Sequence, residues 1–288
     1  MSLSLRRTPK EERRRYTVGT FGLQIIGLAV SLFFFFPIYM ILNNSFKTQR
    51  ELVMEPPLSL PSSFSFENYT VAWKKLDLGM AFLNSLFFTV ISVVLIALIC
   101  TITAWAISRG SSRIFKFSRI YFLIGILIPS QALCLPIYLL WNSFGLINTR
   151  IGLIALYVST GLSFGIFLQT NFMSTVPVEI EEAARIDGCS VYRTFFSVVL
   201  PLLKAPMATL VIVQSFSLWN DYMLANLMIQ SKSMRTVILA IKTLFSSTRN
   251  DYATAMAAIL LSATPIIILF VALQKQFIKG MTMGAVKG

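Results

Sequence analysis

Two sets of side chains in this sequence have the types and spacing for recognition chemistry. The first is Glu179, Glu181, Glu182 and Asp187 ahead of Gly188, acids gathered in a stretch that also holds Ala183 and Ala184. The second is almost uncharged: Asn84, Gln131, Gln214, Ser215, Ser217 and Asn220 stand inside apolar runs and are joined by Asp221. Amides and hydroxyls in such runs bond a hydroxylated solute or a neighbouring helix, the latter worth about 0.6 kcal/mol between membrane helices. Gln169 and Asn171 fit the helix-bonding role better. Asp221 is a functional candidate because an acid inside an apolar run is costly. It lies late in its run beside Asn220 and Tyr222, where solvent reduces that cost, and it lacks a basic partner for proton coupling.

Catalytic sets are missing. The chain contains no His, which removes the commonest general base, the Ser–His and Cys–His nucleophile pairs and every His-ligated metal site. Cys100, Cys134 and Cys189 are far apart and form no CxxC pair, so a disulfide framework or a zinc site is not expected. No Gly is followed by Lys, and a phosphate-binding Walker A loop requires that pair.

The elements that must position these residues are membrane spans. Apolar residues make up 56% of the chain and charged ones 13%, about half the charge content of a soluble domain. A bilayer core of about 30 Å needs roughly 20 apolar residues per helix. Six spans are predicted, at 20–42, 83–106, 119–141, 152–173, 206–228 and 254–274. Between and beyond them lie a basic tail at 1–19, a long loop at 43–82, a segment at 174–205, a second loop at 229–253 and a tail at 277–288. Pro56-Pro57, Pro61 and the aromatic positions up to Trp73 suggest that the 43–82 loop is a folded lip more than a linker, and a plain surface loop accounts for them about as well. Gly161 and Gly165 are spaced for close helix packing.

An even number of spans puts both termini on one side, and Lys and Arg choose the side. Arg109, Arg113, Lys116 and Arg119 follow the second span, whereas Arg150 alone follows the third. Both termini are therefore expected in the cytoplasm, with the 43–82 and 229–253 loops outside. The net charge of +13 then reads as orienting charge against anionic lipid, not as a nucleic-acid footprint.

The 174–205 segment has strong local signals. Pro177 suits a first helical turn, acids follow it where a helix N-terminus favours negative charge, and Gly188 is placed to end that helix in the left-handed region. Ser190 can cap a second helix that Pro201 stops. On the first helix Ile180, Ala183, Ala184 and Asp187 share one face, a small-residue strip that lets another surface approach. Without further information, an amphipathic helix lying on lipid accounts for the segment about as well.

Glu182-Ala183-Ala184, three residues, Gly188, nine residues, then Val198-x-Leu200-Pro201 resembles the EAA loop of binding-protein-dependent ABC importer permeases, with Val where the family usually has Ile. The likeness extends to the G-type subunit of the maltose-type carbohydrate importers through Asn84-Ser85, Pro136-Ile-Tyr138, Phe144-Gly-Leu-Ile-Asn-Thr149, Trp219-Asn220 and the ending from Gly280 to Gly288.

The resemblance implies an all-α fold of type I importer permease, with a permease core over 83–276 and cytoplasmic coupling helices. It implies a bacterial cell-membrane protein that forms half of a pore with a second, non-identical permease. Two ATPase subunits and an extracytoplasmic solute-binding protein complete the importer, and the solute implied is a carbohydrate, an oligosaccharide in particular. ATP and magnesium belong to the ATPase subunits and no cofactor to this chain. Glu182, Ala183, Ala184, Asp187, Gly188, Leu200 and Pro201 are the residues implied to couple the chain to its ATPase. Asn84, Gln131, Gln214, Ser215, Ser217, Asn220 and Asp221 are the candidates for the translocation path. The competing readings are a similar importer for a non-sugar solute and an ion-coupled secondary carrier. The carrier would be expected to show paired intramembrane charges or inverted repeats, and neither is evident in the sequence.

Overall fold

The computed structural model describes residues 18–245 and 250–285; most of the expected basic tail at 1–19 and the last residues of the chain lie outside them. Helices dominate, and the described residues contain no strand beyond an isolated bridge between Phe245 and Asn250. In chain order they are α1 (Val18–Ser45), α2 (Gln49–Met54), α3 (Glu67–Lys75), α4 (Leu78–Arg109), α5 (Arg113–Leu127), α6 (Cys134–Ser143) and α7 (Arg150–Met173). There follow α8 (Val178–Ile186), α9 (Val191–Arg193), a π turn at Thr194–Val199, α10 (Leu200–Leu202), α11 (Lys204–Trp219), α12 (Met223–Met228), α13 (Val237–Lys242) and α14 (Tyr252–Ala285).

Four stretches, Phe21–Ser45, Leu78–Arg109, Arg150–Met173 and Tyr252–Lys275, are long and apolar enough to cross a membrane. Two bent pairs raise the count to six if each is taken as one span. The expected third span at 119–141 is not a single helix: α5 and the helical stretch after it meet at a 90° bend. Pro129 is the cause, because its ring disfavours helical geometry at the preceding residue, and Ile128 is extended at φ −81°, ψ 117°. The expected fifth span at 206–228 likewise stops being one helix at Trp219, and α12 starts anew after Asp221. At the other end of the chain α14 runs past the expected boundary at 274 to Ala285, since no proline follows Pro265 to stop it.

The core forms where α4 lies along α7 and α11, with Phe88, Ile96, Cys100, Leu153, Leu156, Ile166 and Leu210 buried together. The glycine pair of α7 permits this approach. A Cβ added at Gly161 would stand 2.6 Å from Ile96 Cδ1, and one at Gly165 would collide with Cys100 Sγ. α1 is the contrast, exposing Phe33, Phe34 and most of its other apolar side chains, as a helix does when its solvent is lipid or another subunit.

The 43–82 connection is folded. Asn68 Nδ2 donates to the carbonyls of Ser45 and Lys47, both at 2.8 Å, and Asn43 Nδ2 to Ser59 O at 2.8 Å. The Phe46 ring sits among Phe64, Phe66 and Tyr69. Gln49 ties the lip to the start of α14 by donating to Asn250 O and accepting from Ala253 N. A capping box starts α2: Thr48 Oγ1 accepts from the Glu51 amide, and Glu51 accepts from the Thr48 amide, the arrangement that satisfies two otherwise orphan donors.

Candidate functional site

The chain carries two candidate sites, one on each side of the α4–α7–α11 core. The first is the segment from α8 to α10. Gly188 ends α8 at φ +80°, where a residue without Cβ is unstrained. The Cys189 amide closes the turn on Ala184 O at 3.0 Å, and Ser190 Oγ accepts from the Arg193 amide at 3.3 Å to start α9. Pro201 does not stop this second helix, which continues to Leu202. The π turn just before it supplies the reason: widening the helix there accommodates a proline that lacks an N–H and crowds the carbonyl of the preceding turn.

Packing decides which face of α8 is inside. Glu181, 1% exposed, and Ala184 are buried, while Ile180, Glu182, Ala183, Asp187 and Gly188 face outward. The expected strip of Ile180, Ala183, Ala184 and Asp187 is therefore split between the two faces. Glu181, which the sequence offered only as one of several acids on this helix and not among the coupling residues, holds the joint. Arg109 at the end of α4 pairs with Glu181 Oε1 at 2.8 Å, and Trp105 Nε1 donates to Glu181 Oε2 at 3.0 Å. Arg109 Nη2 also donates to Val176 O at 2.9 Å. Beneath them Met173, Val176, Phe195, Val199 and Leu203 form a small apolar core, with the Trp105 and Phe195 ring centroids 5.0 Å apart and Leu200 packed at its edge. Pro201 is exposed. What the segment shows to the outside around the Gly188 turn is an apolar patch of Ala183, Ile186, Val191 and Tyr192 bordered by the exposed charges of Glu182, Arg185, Asp187 and Arg193.

The second site is a cleft of about 720 Å³ between α5, α7 and α11. It exists because Pro129 breaks the α5–α6 pair and because α11 ends early; both breaks line it. Gln131, Gln214, Ser217, Asn220 and Asp221 all border the cleft, joined by Thr160, Ser163 and Tyr222, which sequence reasoning missed. Gln214 Nε2 donates to Gly161 O at 3.2 Å, held by the carbonyl of the glycine that lets the helices meet. Asp221 is fully engaged: Tyr157 donates its hydroxyl at 2.9 Å, and the Leu224 and Ala225 amides donate at 3.2 and 2.8 Å. Its carboxylate thus starts α12 in the manner of an N-cap.

Two path candidates lie elsewhere. Ser215 borders a separate apolar groove with Trp219 and Pro265. Asn84 Nδ2 donates to Ser233 O at 2.8 Å and Arg235 O at 3.1 Å, and Ser85 Oγ accepts from the Val237 amide. Asn84-Ser85 therefore fastens the 232–237 segment to α4. Of the two amides assigned to helix bonding, Asn171 Oδ1 accepts from Arg119 at 3.4 Å, whereas Gln169 is fully buried with neither amide atom bonded.

Outside the spans, two carboxyls are held below their usual range. Hydrogen bonds from Ser62 and Thr48 push Glu51 down to about 2. At Asp251 burial acts to raise the value, but hydrogen bonds from Lys75 and Thr254 outweigh it.

Comparison with known proteins follows the same geometry. Residues 100–283, which include the cleft and the α8–α10 segment, match the family "Binding-protein-dependent transport system inner membrane component". The "Probable starch degradation products transport system permease protein AmyC" of Thermoanaerobacterium thermosulfurigenes is 35% identical over 95% of this chain and 99% of its own. The "Melibiose/raffinose/stachyose import permease protein MelC" of Bacillus subtilis (strain 168) is 32% identical over 92% and 96%. A chain from the crystal structure of a bacterial ABC transporter involved in the import of the acidic polysaccharide alginate superposes with TM-score 0.78, at 22% identity, over 91% of this chain and 99% of that one, a likeness of fold. The chain belongs to the binding-protein-dependent transport system inner membrane component family.

Proposed function

We propose that this chain is the permease subunit of an ATP-driven, binding-protein-dependent ABC importer for a carbohydrate, an oligosaccharide in particular. It does no chemistry itself; ATP is hydrolysed on separate subunits. It forms half of a pore whose other half is a second, non-identical permease, and the open cleft and the exposed apolar surface of α1 are the faces such a partner completes. The observation that carries the reading is the pairing of an exposed apolar turn around Gly188 with a buried ion pair fixing the same helix to α4. A surface that docks a partner must be open, and one that transmits movement must be stiffly joined to what it moves. Coupling follows if the ATPase dimer contacts this surface differently in its open and closed states, which shifts the balance between inward- and outward-facing pores.

In this proposal both termini and the α8–α10 segment lie in the cytoplasm, and the lip and the 229–253 loop lie outside, where a solute-binding protein arrives; the excess of Lys and Arg after the second span supports that orientation. In the cleft, the amides and hydroxyls of Gln131, Gln214, Ser217 and Asn220 are suited to hydrogen-bond sugar hydroxyls. The names of two relatives, a starch-product permease and a melibiose, raffinose and stachyose permease, support the solute class.

The test is uptake into proteoliposomes holding this chain with its partner permease, ATPases and binding protein. Uptake of an oligosaccharide should require ATP and the binding protein. Transport by this chain alone down an ion gradient would overturn the proposal.

A further inference from the structure

The corner between α4 and α5 holds a cavity of about 210 Å³ bordered by Ser108, Gly110, Lys116, Arg119, Thr170 and Ser174. It adjoins the joint between α4 and α8 but shares no lining residue with either site described above. No acid lines it, and among the described residues Lys116 belongs to no ion pair. Arg119 meets only the neutral Asn171 Oδ1, at 3.4 Å. Thr170 is 4% exposed, and neither its hydroxyl nor that of Ser108 has a hydrogen-bond partner. Buried hydroxyls are normally bonded, so this corner has two uncompensated cations and two unused hydroxyls around one empty volume.

The complement of that set is an oxyanion with several acceptor oxygens, and a phosphate diester supplies it. The neighbourhood selects the source. Ile120 and Leu123, one turn beyond Lys116 and Arg119 on the same flank of α5, are exposed apolar side chains, a surface that acyl chains cover and a soluble phosphate does not. A choline or ethanolamine headgroup would bring its own cation against Lys116 and Arg119, whereas a glycerol headgroup would not. Basic pockets between spanning helices near the membrane surface bind anionic headgroups by this logic.

We propose that the α4–α5 corner binds the phosphate of an anionic phospholipid through Lys116 and Arg119, with the Ser108 and Thr170 hydroxyls as further donors. The bound lipid braces the end of α4 next to Arg109 and so steadies the joint to α8. The proposal rests on the membrane placement given under Proposed function, but it fails separately: lipid binding in detergent reads the cavity directly, while cysteine-labelling topology reads the placement.

The intact importer complex, purified in detergent, is titrated with phosphatidylglycerol, phosphatidylcholine or inorganic phosphate, and bound ligand is counted by native mass spectrometry. Phosphatidylglycerol should be retained and phosphatidylcholine lost. The K116Q/R119Q double variant should weaken phosphatidylglycerol binding about 25-fold, at roughly fivefold for each cation. Thr170→Val should weaken it less, with Thr170→Ser restoring it, and Arg113→Gln, an exposed cation of the same corner outside the cavity, should leave it unchanged. Equal retention of phosphatidylcholine, or unchanged binding in the double variant, overturns the proposal. Binding of inorganic phosphate with no gain from lipid makes the ligand a soluble anion and overturns the lipid assignment.

Discussion

Arg109 and Glu181 stand 2.8 Å apart with only 17% and 2% of their side chains exposed, joining the last residue of α4 to the middle of α8. An ion pair this buried is not strong evidence for stability, because desolvation offsets much of its attraction. Its consequence is directional: α8 cannot shift without moving either α4 or an unpaired charge. Trp105 and the Phe195 core make the joint stiff on its other side.

Removing one partner should be costly and removing both should not. Glu181→Ala leaves Arg109 half-buried and unpaired, an expected loss of about 3 kcal/mol. The double variant Arg109→Met with Glu181→Leu should recover much of it. Thermal unfolding of the purified complex gives the stabilities, and the ratio of ATP hydrolysed to solute imported gives the coupling. Recovery of stability without recovery of that ratio is the expected pattern. Equal losses in the single and double variants would contradict it.

If the proposed function holds, the Gly188 turn is the surface that docks the ATPase. Gly188→Asp places a side chain at φ +80°, a strain of about 1–2 kcal/mol, and puts a charge on the apolar surface. ATPase subunits should no longer copurify, and the same should hold for Ala183→Glu with Glu182→Lys. Full retention of the ATPase in both would remove α8 as the contact.

Within the cleft, Gln214 and Asn84 should separate. Gln214→Ala should slow uptake by about tenfold, the effect of one lost hydrogen bond at about 1–1.5 kcal/mol, with little change in the amount of folded complex. Asn84→Ala should lower thermal stability and leave the concentration dependence of uptake unchanged, because its amide is spent on Ser233 and Arg235. Asp221→Ala should cost about 1–2 kcal/mol through the start of α12 and should not alter the pH profile of uptake.

The lip should loosen in acid. Glu51 has its folded value lowered from 4.5 to about 2. Its contribution is therefore complete above 4.5 and is lost as pH falls toward 2. Glu51 is solvent-facing, so screening keeps the effect small. Hydrogen exchange of the Thr48 and Ser62 amides, compared between the wild type and Glu51→Gln, should converge at the low end of that window and differ above it.

Local chemistry was legible in the sequence, and it reached further than secondary structure. Charge-free runs located four helices long and apolar enough to cross a membrane, the Gly188 turn and Ser190 cap were placed correctly, the glycine pair announced close packing, and the EAA spacing pointed to the family. Each depends on residues within a few positions of one another. What only the tertiary structure decided are the pairings across distance. Arg109 and Glu181 are 72 residues apart in the chain, and helical periodicity around 180 offers Glu179, Glu181 and Glu182 as near equals until α4 and Trp105 bury one of them. Asn84 and Gln214 are both amides in apolar runs; their neighbours make one a fastener and place the other on the cleft. The 90° bend at Pro129 is a borderline case, since the proline was visible but proline also sits inside the uninterrupted helix at Pro265. Whether the backbone yields at such a residue depends on what packs against it, and that is settled by the fold as a whole.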